Sequence, residues 1–225
     1  MIGEIRATYA SGNLEGATFE QGALDYRWQE IDLVRRVNPE VARKLIKQLR
    51  DDHAIGSFYG TMWEMEFAAA LCAAAREFTR ENRPDFVMRA KGKEIGIECR
   101  IVGIPSSRFT SREALLRTMI DSVREKTVKY KEWGGGWKCV LALDITAAEY
   151  LLRVYRQDDL LSDKTLVEGV AQIFRDRDFL AVIVSLFHPR GEYGGPTRLH
   201  VPWINANAPA AAKALVDLIF PWPSV

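Results

Sequence analysis

Two continuous apolar runs, at 138–145 (KCVLALDI) and 179–187 (FLAVIVSLF), constrain this chain more than any other feature. Neither alternates polar with apolar residues, so each is expected as a strand covered on both faces. The span between them, 147–176, reads as helix in two pieces broken near Asp158-Asp159. Strand, helix, strand at this spacing is a crossover unit, which sets the two strands parallel. A parallel pair needs helices on both sides of the sheet. The expected class is therefore α/β.

A second pair of strands is legible upstream, in RPDFVMRAKGKEIGIECRIVGI at 83–104. Residues 86–90 form one strand and 95–102 the other, joined by a tight turn at Lys91-Gly92-Lys93. In the second strand Ile95, Ile97, Cys99 and Ile101 alternate with Gly96, Glu98, Arg100 and Val102, so Glu98 and Arg100 share one side. Folding about Gly92 brings Asp85 opposite the Glu98–Arg100 region. Like charges there repel unless a metal or a cation sits between them. With the crossover pair, this antiparallel hairpin makes the sheet mixed.

Pro84-Asp85, twelve residues, then Glu98-Cys99-Arg100 resembles the PD-(D/E)xK signature of the restriction-endonuclease-like nucleases. The match covers about 56–131, and it departs from the pattern in having Arg100 where the family normally has Lys. The family often adds an acidic residue on a helix before the hairpin, and Glu64 or Glu66 in GTMWEMEFAAAL offers one. The resemblance implies a three-layer αβα fold with a central mixed β-sheet. It implies a nuclease, acting on DNA before RNA, in which Asp85 and Glu98, the Cys99 backbone carbonyl and Glu64 (or Glu66) hold Mg²⁺ or Mn²⁺. Arg100 would clamp the scissile phosphate, since a guanidinium stays protonated and cannot act as a base. Lys91 or Lys93 could replace the missing ammonium only if the turn folded back, against the period of two. Lys93, Arg117 and Arg124 are candidate nucleic-acid contacts, and a homodimer is implied by analogy.

The remainder fills in around this unit. Residues 1–25 have no sustained period and are expected to be irregular. Trp28, Ile31 and Val34 predict a short helix, and Asn38-Pro39-Glu40 starts another whose apolar stripe is Val41, Leu45 and Leu49. Residues 1–55 thus read as a helical N-terminal extension and 56–225 as the core of a single domain. A helix is expected over 58–78 with Phe67, Leu71, Ala74 and Phe78 inward. Glu64 lies on that stripe and needs a partner, whereas Glu66 falls on a face read as solvent-exposed. A helix over 111–131, with Thr110 and Glu113 as a capping box, turns Leu115, Met119 and Val123 inward. The WGGGW at 133–137 lacks the Gly-Lys-Ser/Thr ending and leads into a strand, so it is no phosphate loop. Pro202 confines the run at 199–204 to a sheet edge, and a final helix is expected over 207–220, capped by Asn207.

Composition decides little more. Of the 225 residues, 48% are apolar and 27% charged, which excludes wholesale disorder. No apolar run approaches the ~20 residues that span a bilayer, and the first residues lack the basic start and apolar core of a signal peptide. Cys72, Cys99 and Cys139 suit neither a disulfide framework nor a zinc site, and the three His have no ligand spacing, so a cytoplasmic location without membrane association is expected. The net charge of +1 hides an uneven distribution, with twelve Lys or Arg against seven Asp or Glu over 84–138. A basic segment around two carboxylates suits a phosphate-binding face. Two competing readings stay open: a nuclease-like fold without catalysis, with Arg100 neutralising Asp85 and Glu98 to leave a nucleic-acid- or protein-binding module, and a coincidental hairpin in another α/β protein.

Overall fold

The structure is a computed structural model, and it describes residues 21–51, 54–102, 112–129, 137–146, 163–175, 178–188 and 197–220. Among the described residues three helices come first: α1 (Gln21–Val37), α2 (Pro39–Asp51) and α3 (Ile55–Ala73). They are followed by β1 (Glu77–Arg80), β2 (Phe86–Ala90), β3 (Lys93–Ile101), α4 (Arg112–Lys129) and β4 (Cys139–Asp144). The chain closes with α5 (Lys164–Arg175), β5 (Ala181–His188), β6 (Thr197–Ile204) and α6 (Ala210–Val216). All six strands join one sheet in chain order. β3, β4 and β5 are parallel, and the remaining pairs are antiparallel. The mixed sheet and the α/β class are as the apolar runs and the hairpin together require.

The β2–β3 hairpin closes with Ala90 opposite Lys93, which leaves Lys91 and Gly92 as a two-residue turn. Both have positive φ, 50° and 72°, as the hairpin turn that matches strand twist demands, and Gly92 takes that conformation without cost. This turn sets Phe86 opposite Ile97. Every second residue of β3 then reaches the same layer. Ile95 and Ile97 pack with α1, α2, α3 and α6, whereas Leu141, Leu143, Val182 and Val184 of β4 and β5 pack with α4 and α5 on the other face.

α3 is apolar almost all round because it is covered almost all round. Its Met62, Trp63, Met65, Phe67, Ala68 and Leu71 are buried between the sheet and the first two helices, and Trp63 Nε1 donates to the Ala142 carbonyl of β4 at 3.0 Å. The N-terminal helices belong to the same apolar core, through Ile31, Val34, Val41, Leu45 and Leu49. Asn38 caps α2 as its position predicts, accepting from Val41 N at 3.3 Å, and its amide donates to the Phe78 carbonyl at 3.0 Å.

Several elements depart from expectation. α1 is a full seventeen residues, starting inside the stretch read as irregular; residues 1–20 lie outside the described part. The helix expected to reach Phe78 stops at Ala73, where Ala75 turns left-handed with φ 54°, and Phe78 lies instead on edge strand β1. Four residues are too short a run for a period of two to declare itself. α6 is shorter than expected and starts at Ala210 without a side-chain cap. Asn205, rather than Asn207, organises that corner: its buried amide donates to the Phe174 and Phe179 carbonyls at 3.0 Å, and its oxygen accepts from Asn207 N. β6 is an edge strand, and it carries Pro202. The capping box at Thr110, the WGGGW glycines and the first helical piece of 147–162 fall outside the described residues.

On the second face α4 and α5 meet at Gly169, where a Cβ would come within 2.6 Å of Ile120 Cδ1. Gly169→Leu should therefore separate the two helices and destabilise the fold by about 1–3 kcal/mol. Urea unfolding would check this, and an unchanged midpoint would show that the contact is soft.

Candidate functional site

β2 is shorter than β3, and the site lies where it runs out. The last β2–β3 pair is Phe86↔Ile97, so a longer β2 would have engaged the next inter-strand position, at Cys99. Asp85 takes that place with its side chain: the Cys99 N–H donates to Asp85 Oδ2 at 2.7 Å. The hairpin register thus puts Asp85 beside Glu98, as the period of two predicts.

Three carboxylates act on one another here. Asp85 is pushed up to about 8, first by burial, then by the charges of Glu64 and Glu98, with the Cys99 N–H and Lys126 pulling the other way. One N–H and one ammonium do not suffice to hold this carboxyl ionised at neutral pH. The Cys99 thiol, half-buried beside the same three acids, is held well above the usual thiol range by burial and then by Asp85, Glu64 and Glu98. It remains a neutral thiol.

Each of the other two acids has a cation from an unexpected place. Glu98 is ion-paired to Lys126, from the last turn of α4, and both side chains are largely buried. Glu64, on α3, accepts from Arg80 of β1 at 2.7 and 3.0 Å, and Arg80 also bonds Gln48 of α2. Neither cation was among the sequence candidates. Lys126 did leave a trace, since it stands seven residues after Met119 on the stripe that also holds Ser122 and Val123. A lysine on a buried stripe needs a carboxylate. Arg80 left none, because the strand that carries it begins inside the stretch expected as helix and was not expected as a strand.

One sequence reading is corrected, that of Glu66 as solvent-facing, and the candidate arginines are all exposed. Arg100, expected to clamp phosphate or to neutralise Asp85 and Glu98, is exposed. Its charge acts on Glu125, which is held below the usual carboxylate range chiefly by Lys129 and in smaller part by Arg100. Glu66, read as solvent-facing, is buried, because α1 covers that side of α3; Arg27 Nε lies 3.1 Å from its Oε1. It serves the helix interface and is no alternative to Glu64. Arg117 and Arg124 are exposed, with Arg124 paired to Asp121 at 2.5 Å. Lys126 stands two positions past Arg124 and nine past Arg117, about 200° and about 180° around the helix, so these arginines face away from the carboxylates. Lys93 stands beside the hairpin turn, five residues from Glu98 along β3.

His200 is structural: its Nδ1 lies 2.7 Å from the buried Ser185 Oγ, and its ring stacks on Phe220.

The donor set suits a hard divalent cation. Asp85 and Glu98 are oxygen donors, and Mg²⁺ commonly takes one or two protein carboxylates and completes its shell with water and substrate phosphate. A cation at Asp85 would also offset the burial and repulsion that keep it protonated. Among the described residues no group of three or more His, Cys, Asp or Glu side chains is placed to hold an ion by itself. Glu64, tied to Arg80, is a neighbour of this pair. No helix of the described residues is long and apolar enough to cross a membrane. Compared with known proteins, the chain matches no family model, no curated sequence and no solved structure.

Proposed function

We propose that this chain is a metal-dependent phosphodiesterase acting on nucleic acid, DNA in the first instance, built on a restriction-endonuclease-like αβα core. The observation that carries this reading is the grouping at the start of β2: Asp85, destabilised as an anion by burial and then by Glu64 and Glu98, with the Lys126 ammonium on Glu98. Asp85 and Glu98 would hold Mg²⁺ or Mn²⁺. The bound metal would lower the pKa of a water and stabilise charge on the phosphate.

The chain's own residues have separable tasks. The Cys99 N–H fixes Asp85 Oδ2 and leaves its other oxygen for the metal. Lys126 takes the role that the resemblance gives to a lysine two residues after the glutamate, where this chain has Arg100. An ammonium has three donors, so beyond Glu98 it can orient the attacking water and bind a phosphate oxygen. Arg80 pairs with Glu64, and the charge of Glu64 still acts on Asp85, where a divalent cation would offset it.

The second reading, a nuclease-like fold without catalysis that binds nucleic acid or a protein, has its own support. Lys126 already neutralises Glu98, a job that the sequence assigned to Arg100. The two readings part in a plasmid and oligonucleotide cleavage assay with Mg²⁺ or Mn²⁺ against chelator. The nuclease cuts in the presence of the metal and stops with chelator. An absence of cleavage, with no metal binding by calorimetry, leaves the binding module.

A further inference from the structure

At the tip of the β2–β3 hairpin, away from Asp85, a cavity of about 770 Å³ opens between the hairpin, the start of β4 and α6. Lys93 is five residues from Glu98 along β3, roughly 16 Å at ~3.3 Å per residue. The floor of this cavity is apolar, with Ala212 and Leu215 of α6, and its wall is the half-buried ring of Trp137. Its rim is basic: Lys93 and Lys138 are exposed, and Arg89 is balanced by Glu94 at 3.1 Å. Trp137 has φ 64°, a conformation that a residue with a large side chain rarely adopts. Its N–H holds it there by donating to the Asp178 carbonyl at 2.8 Å. The backbone is thus bent at some cost to set an indole beside two lysines.

We infer that this cavity is an accessory subsite for an unpaired nucleotide of a single strand. The base stacks on Trp137 over the apolar floor, and Lys93 and Lys138 hold the flanking phosphates. An aromatic face beside exposed cations is the combination that binds single strands without reading sequence. A duplex keeps its bases stacked inside and offers the indole nothing. The choice of nucleic acid as occupant rests on the proposed function, whereas the site itself is separate from the Asp85–Glu98 pair.

The test is fluorescence anisotropy of a labelled single-stranded oligonucleotide in chelator, where no cleavage can occur. Trp137→Gly suits the positive φ and removes only the ring, so the fold should persist. It should weaken binding about tenfold or more, whereas Trp137→Phe stays close to wild type. Lys93→Gln with Lys138→Gln should flatten the salt dependence, lowering the slope of log K against log salt by about 1.4. Asp85→Asn should bind like wild type under these conditions. In a cleavage assay with Mg²⁺, Trp137→Gly should raise KM and leave kcat unchanged. Wild-type affinity in both Trp137→Gly and the double lysine variant overturns the subsite, as does equal loss on a duplex of the same length. A wild type that binds through Trp137 but never cleaves overturns the phosphodiesterase and leaves the subsite standing.

Discussion

Asp85→Asn should make the metal-free protein more stable at pH 8 and leave it without nuclease activity. Asparagine keeps an oxygen for the Cys99 N–H and removes the charge that Glu64 and Glu98 oppose. The sign follows from linkage. Asp85 ionises near 3.8 in the unfolded chain and near 8 in the folded one, so the folded state binds the extra proton between those values. The stabilisation from this group is complete below the lower value and lost as pH rises through the higher one. At pH 8 the penalty in wild type is on the order of several kcal/mol, or roughly 10 °C in melting temperature for a chain of this size. At pH 4 the variant and wild type should melt together. Adding Mg²⁺ at pH 8 should raise the melting temperature of wild type and not of Asp85→Asn, since only the carboxylate can hold the ion. Calorimetry at the two pH values, with chelator and with Mg²⁺, measures all of this. A variant that melts below wild type at pH 8 in chelator would falsify the account of Asp85 as a strained anion waiting for a cation.

The second large effect is expected at Lys126. Lys126→Ala should lower kcat about 10²–10³-fold, the usual cost of one preorganised donor to developing charge. It should also cost about 3–5 kcal/mol of metal-free stability, because Glu98 is left buried beside Asp85 without its cation. Mg²⁺ should recover much of that stability without restoring the rate, which separates a missing donor from a collapsed fold. Arg100→Ala serves as the contrast. Arg100 is exposed and its charge acts on Glu125, so its removal should change kcat less than about threefold, within the small effects usual for exposed positions. Equal losses for the two variants would return the role to Arg100. Unchanged cleavage in Lys126→Ala would leave its ammonium as a purely structural counter-charge.

The contrast between Arg100 and Lys126 also marks where linear spacing stops being informative. Glu98 and Arg100 do share a side of β3, but the helix that crosses over that side decides what each one meets. α4 lays Lys126 on Glu98 and Glu125 near Arg100, a pairing across twenty-eight residues that depends on the pitch and placement of the crossover. Glu66 was misread for a related reason. A helix seen alone seems to need a solvent face, and only the docking of α1, bringing Arg27, shows that α3 has none near Glu66. Arg80 was invisible because edge strand β1 is four residues long.

What the sequence determined by itself was whatever depends on neighbours in the chain. Two unbroken apolar runs separated by a crossover made a parallel, doubly covered pair. A Lys-Gly turn set a hairpin register, and the period of two carried Asp85 to Glu98. The tertiary structure alone decided the charge partners. Electrostatic interactions act through space and are strongest where water is excluded, so the cation that each buried acid meets depends on which helix covers it. Lys126 for Glu98, Arg80 for Glu64 and Arg27 for Glu66 are all choices of packing.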